Sequence, residues 1–77
     1  MKEQIRSFIT GTFMTDGREP EFDESLFESG LIDSLGFIKL LEFIEKEFNI
    51  SVEMSEVTMD KFETINAIEK LIQSKLQ

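Results

Sequence analysis

Cysteine, histidine, tryptophan and tyrosine are all missing from these 77 residues, and proline occurs once. Without cysteine there is no disulfide framework, which fits a reducing compartment. Without histidine, cysteine or tyrosine the common nucleophile–base triads cannot be assembled. One proline and four glycines leave little room for a many-turned β-architecture. Basic residues are also scarce, eight against sixteen acids, for a formal net charge of −8. Phosphate backbones repel such a chain, so nucleic-acid binding is disfavoured and complementary partners would be basic protein surfaces. On charge alone, the plainer account is that it keeps a small domain soluble. No apolar run approaches the roughly 20 residues of a membrane helix, and Met1-Lys2-Glu3-Gln4-Ile5-Arg6 lacks the apolar region of a signal peptide. A soluble, cytoplasmic, monomeric protein is expected.

What the chain does have is hydrophobic pattern. Its length suits one small domain over residues 1–77, and eight phenylalanines with many Ile and Leu suffice for a core. Residues 3 to about 14 carry Ile5, Phe8, Ile9 and Phe13 on one stripe, an amphipathic helix. Thr15-Asp16-Gly17-Arg18-Glu19-Pro20 breaks it. Residues 21–33 hold five acids and no base, interleaved with Phe22, Leu26, Phe27, Leu31 and Ile32. So many large apolar side chains predict a long loop pinned to the core, with Gly30 at positive φ. From Ser34 to about Asn49 the helical period is strongest: Phe37, Leu40, Leu41, Ile44 and Phe48 form the core face. Leu35, Ile38, Lys39, Glu42, Glu45 and Lys46 fall on the opposite arc, where Leu35 and Ile38 are exposed apolar neighbours of Ser34. A short helix around Ser55 to Lys61 with Ser55 as cap follows. A last helix opens at Thr64 and buries Ile65, Ile68, Leu71, Ile72 and Leu76. The fold class is all-α: a four-helix bundle, three main helices and one short, with a long first connection.

The residue that invites chemistry is Ser34, in the run Phe27-Glu28-Ser29-Gly30-Leu31-Ile32-Asp33-Ser34-Leu35. It sits between an acidic loop and a patterned helix, with no histidine to activate it. A Ser–Lys pair fails because Lys39 lies on the far arc of the same helix. An autonomous enzyme is therefore disfavoured, and modification by another protein is the better account. Calcium-loop spacing fails as well. From Asp23 the fifth and sixth positions are Phe27 and Glu28, and from Asp16 the third and fifth are Arg18 and Pro20. Periodicity alone favours Ser34 as the helix N-cap, a job Asp33 could equally do. Neither gains a capping box, since Phe37 and Gly36 stand three residues on.

The run Leu26 to Leu35 resembles the attachment region of acyl carrier proteins, whose Asp-Ser-Leu follows a loop containing a Gly–hydrophobic pair and opens the second of four helices. Here Gly30-Leu31 and Asp33-Ser34-Leu35 occupy those places, and the likeness extends to Glu45-Lys46-Glu47-Phe48-Asn49-Ile50 and Thr64-Ile65. The resemblance implies a non-catalytic carrier. Ser34 would receive 4′-phosphopantetheine from coenzyme A through a phosphopantetheinyl transferase, and that arm would bring the thiol the chain lacks. Asp33 would position the serine, while Leu35, Ile38, Glu42 and Glu45 would face partners. Those partners would be acyl-activating ligases, ketosynthases or acyltransferases with basic docking surfaces.

Gly36 stands where fatty-acid-synthesis carriers usually place an acid, Lys39 and Lys46 replace acids, and Glu42 takes a frequently apolar position. The expectation is a dedicated carrier of fatty-acid-like, polyketide-like or other specialised acyl metabolism. Two alternatives stand beside it. One is an aminoacyl (D-alanyl-type) or peptidyl carrier, of which Asp before the serine resembles the D-alanyl type more. The other is an acidic helical adaptor with Ser34 only a cap.

Overall fold

The structure, a computed structural model, describes residues 1–13 and 19–76. Over those residues it is all-helical: α1 (Lys2–Phe13), α2 (Ser34–Phe48), a 3-10 turn (Met54–Glu56), α3 (Met59–Phe62) and α4 (Ile65–Leu76). Three main helices and one short one match the sequence expectation. Most of the break expected over residues 15–20 lies outside the described residues.

The core is built from all four α-helices. Ile5 and Ile9 of α1, Leu40 and Ile44 of α2, Phe62 of α3, and Ile65, Ile68, Leu71 and Ile72 of α4 are buried. The spacings are those of single helical stripes, so each helix presents one apolar face inward. α1 packs against α2 and α4, and α3 packs against α4. On α2 the expected face is only partly sunk: Phe37, Leu41 and Phe48 lie half-buried against the cluster. Leu76 departs from expectation and is 55% exposed. It continues the stripe of α4 a turn beyond Ile72, the last core residue, and meets solvent there.

The loop between α1 and α2 contributes to the core like a fifth element. Leu26 is fully buried and Ile32 nearly so. Its backbone is fastened to the α3–α4 junction: the Leu26 amide donates to the Glu63 carbonyl (2.8 Å), and the Asn66 amide donates to the Phe22 carbonyl (3.0 Å). Arg6 adds a clamp from α1, donating from Nε to the Pro20 carbonyl (3.0 Å) with its guanidinium 3.9 Å from the Phe22 ring centroid. Gly30 has φ +79°, the left-handed conformation that favours glycine.

The expected single short helix from Ser55 to Lys61 is two pieces. Val57 and Thr58 leave helical geometry and separate the 3-10 turn from α3. Ser55 is not the cap. Glu53 precedes the turn, and its amide donates to Glu56 Oε1 (3.0 Å). At α4, Thr64 caps as expected, its Oγ1 accepting from the Ala67 amide (3.0 Å). α2 ends at Asn49 in the left-handed region (φ 54°), where the Asn49 and Ile50 amides both donate to the Glu45 carbonyl.

Glu56 fastens the 3-10 turn to α4. Its Oε1 also accepts from Lys75 Nζ at 2.7 Å. The Lys75 ammonium first, and the Glu53 amide second, hold the Glu56 carboxyl below the usual glutamate value of 4.5.

Two outcomes follow. Leu26→Ala, although a loop substitution, lowers the unfolding free energy by about 2–5 kcal/mol in urea titration, the range of a buried leucine. A cost near that of a surface residue would show that the loop is not part of the core. A carboxyl lowered in the folded state stabilises above its unfolded value and loses that contribution as the pH falls through the folded one. Glu56→Gln therefore reduces the urea midpoint at pH 7, and the gap from the unaltered chain narrows as the pH is taken below 4.5. A gap that is constant or widens in acid contradicts the assignment.

Candidate functional site

The first turn of α2 is assembled around Asp33. Its backbone is extended (φ −101°, ψ −170°), and Oδ1 accepts from the Gly36 amide at 2.7 Å. Its carbonyl accepts from the Phe37 amide at 2.8 Å, the first bond of the helix. Asp33 is thus the N-cap, and Ser34 is the first helical residue. The periodicity-based preference for Ser34 as the cap is corrected here, because Asp33 has the extended backbone of a cap and accepts from the third amide of the helix, while Ser34 is already helical. The Ser34 hydroxyl is exposed, and no hydrogen bond occupies it among the described residues.

Gly36 is the buried residue of this turn. A Cβ placed there would come within 2.8 Å of Phe13 Cε1, 3.3 Å of Phe13 Cζ and 3.2 Å of Asp33 Oδ1. The glycine that looks unfavourable by helix propensity is therefore required by the approach of α1.

An open apolar groove of about 620 Å³ runs beside Ser34. Ile32, Phe27, Phe37 and Ile38 form it on the side of the loop and α2, and Val57, Thr58 and Met59 on the side of α3. The aromatic row beneath it is continuous: Phe27 to Phe37 at 6.0 Å, then Phe37 to Phe62 edge-on at 5.1 Å. The α3 wall was not found from the sequence. The signal was present in Val57 and Met59, apolar residues for which the helical pattern had no core position.

The residues expected to face partners do not form one set. Leu35 (71% exposed) and Ile38 (52%) project within one turn of Ser34, as anticipated. Glu42 is exposed farther along, beside Lys39, Lys46 and Phe43. Glu45 is half-buried, and its Oε2 accepts from the Val52 amide at 2.9 Å. That carboxylate is engaged in holding the chain after α2, apart from the Leu35–Ile38 pair. Among the described residues no cluster of three or more His, Cys, Asp or Glu is arranged to hold a metal. No helix there is long and apolar enough to cross a membrane.

The family model described as "phosphopantetheine attachment site" matches residues 3–72, nearly the whole chain and every residue of the Ser34 turn and groove. The chain belongs to this family. It is a carrier-type domain, and the prosthetic group of the family is covalently bound 4′-phosphopantetheine. Among its relatives, a D-alanyl carrier protein of Streptococcus suis is 40% identical over 68 residues, 88% of this chain and 85% of the relative. One of Lactococcus lactis subsp. lactis is 37% identical over 75 residues, 97% and 95% of the two chains. One of Leuconostoc mesenteroides is 34% identical over 74 residues, 96% and 94%. These relatives bear out a specialised carrier. They do not support fatty-acid-like or polyketide-like metabolism, the main expectation from the sequence, and they favour its aminoacyl alternative. The resemblance over Leu26–Leu35, Glu45–Ile50 and Thr64-Ile65 pointed to the carrier family, which the family model bears out, and the relatives correct only the cargo.

The capping assignment separates the two neighbours by stability. Asp33→Ala lowers unfolding free energy by about 1 kcal/mol, whereas Asp33→Asn retains most of the cap. Ser34→Ala leaves it within about 0.5 kcal/mol, as for an exposed residue without partners. Urea titration with far-ultraviolet circular dichroism measures all three. A Ser34→Ala loss as large as that of Asp33→Ala would return the cap to the serine.

Proposed function

We propose that Ser34 bears the 4′-phosphopantetheine of this carrier and that the carried group is D-alanine, held as a thioester. The observation that carries this reading is the hydroxyl left free by the Asp33 cap, exposed at the edge of an apolar groove. The D-alanyl carrier relatives, aligned over up to 97% of the chain, support the choice of cargo.

Ser34 Oγ acts as the acceptor. A bond forms from Oγ to the β-phosphorus of coenzyme A, and the bond from that phosphorus to the 3′,5′-ADP leaving group breaks. The serine proton passes to a base of the phosphopantetheinyl transferase, since this chain has no histidine to take it. When attached, the arm supplies the thiol the chain lacks. Asp33 holds the first turn so that Oγ is presented to solvent, and Leu35 and Ile38 offer an apolar contact to the transferase and to an adenylating ligase. The groove is open to solvent, so an aminoacyl group resting against it keeps its ammonium in water. On this reading the modification draws on coenzyme A, which supports a cytoplasmic location.

Intact-mass spectrometry after incubation with coenzyme A, magnesium and a promiscuous transferase tests the attachment. A gain of one phosphopantetheine is expected, absent in Ser34→Ala. No gain, or a gain that survives Ser34→Ala, overturns it. Modified protein given ATP and a D-alanine-adenylating ligase then gains one alanyl group. Failure of that step, with ready loading by a fatty-acyl ligase, overturns the cargo.

A further inference from the structure

We infer that Phe13 and Gly36 form a positioning pair that sets how Ser34 is presented to its modifying enzyme. This rests on Ser34 as the attachment residue. Phe13 is the last residue of α1, and its ring lies against the missing side chain of Gly36, in the turn that begins with Ser34. The same missing Cβ leaves room for Asp33 Oδ1, whose bond to the Gly36 amide defines where α2 starts. Ring and carboxylate thus converge on one backbone position, two residues from the hydroxyl.

The ring is itself supported. Phe13 meets Phe8 edge-on at 6.0 Å, and Phe8 stacks on Phe43 at 4.2 Å with the planes 13° apart. Phe43 in turn meets Phe48 edge-on at 6.4 Å. This row follows the seam of α1 and α2 from the first turn of α2 to its last residue. A side chain at position 36 must displace either the supported ring or the capping carboxylate. Either movement alters the turn that carries Ser34, without touching Leu35 or Ile38 on the exposed arc. The pair therefore governs the chemical step more than docking.

Kinetics of phosphopantetheine transfer, followed by intact mass with coenzyme A, magnesium and a promiscuous transferase, test this. Gly36→Ala is expected to lower kcat by about tenfold with little change in the KM for the carrier. Phe13→Leu, which lacks the two ring atoms nearest position 36, is expected to restore most of the rate when combined with Gly36→Ala. Ile72→Val, a core change in α4, serves as a variant of reduced stability and is expected to be modified at the normal rate. All are assayed well below their melting temperatures, with folding verified by circular dichroism. An unchanged rate for Gly36→Ala, an equal loss in Ile72→Val, or no recovery in the double variant overturns the pair. If the unaltered chain itself gains no mass, the Ser34 reading falls and the pair with it. A normal gain with indifferent variants removes the pair alone.

Discussion

A single charged hydrogen bond, from the Gly36 amide to the Asp33 carboxylate, decides what the first turn of α2 can do. A carboxylate is a strong acceptor for a helix-end amide, and such a bond is shorter than its neutral counterparts. Its structural effect is to fix the start of the helix. Its chemical effect is indirect: because the aspartate caps, the serine does not have to. Sequence pattern cannot distinguish two adjacent capping residues, and the distinction matters here because only a cap by Asp33 leaves the Ser34 hydroxyl without a partner among the described residues.

The turn stays in place because of what lies on either side. The preceding loop is long and acidic, yet Leu26 and Ile32 enter the core and two backbone hydrogen bonds fasten it to the α3–α4 junction. All eight phenylalanines have partners. One row runs along the α1–α2 seam, another lies beneath the groove, and Phe22 lies under Arg6. Aromatic contacts of this kind add about 0.5–1.5 kcal/mol each beyond area burial. That contribution matters in a domain with no disulfide and a single modest core.

Much of this was legible in the residue order. The stripes Ile5–Ile9, Leu40–Ile44 and Ile65–Ile68–Ile72 identified the helices, because burial on one face leaves a 3.6-residue imprint. Gly30 announced its positive φ, and Thr64 its cap. The 3-10 turn was not legible: it depends on reciprocal contacts of Glu53, Glu56 and Lys75, which link residues 19 apart. Nor was the meaning of Gly36. Read along one helix it is a weak helix former that differs from fatty-acid carriers. Read in three dimensions it is where another helix touches. Glu45 shows the same limit, since helical phase gave its direction but not its bond to Val52. Cargo was the least legible, because on the proposed reading the Asp-Ser-Leu turn presents the same hydroxyl whatever is later attached beyond it.

Ser34 as the first residue of a 15-residue helix has an electrostatic consequence. The aligned peptide dipoles of α2 sum to roughly half a positive charge at that end. On the proposed reading, modification replaces a neutral hydroxyl there with a phosphodiester anion. An anion in the first turn is worth about 0.3–1 kcal/mol to a helix, offset in part by the Asp33 carboxylate one residue away. The arm is thus more than a tether: its phosphate becomes part of the helix end, and the unmodified and modified carriers differ in the strength with which α2 begins.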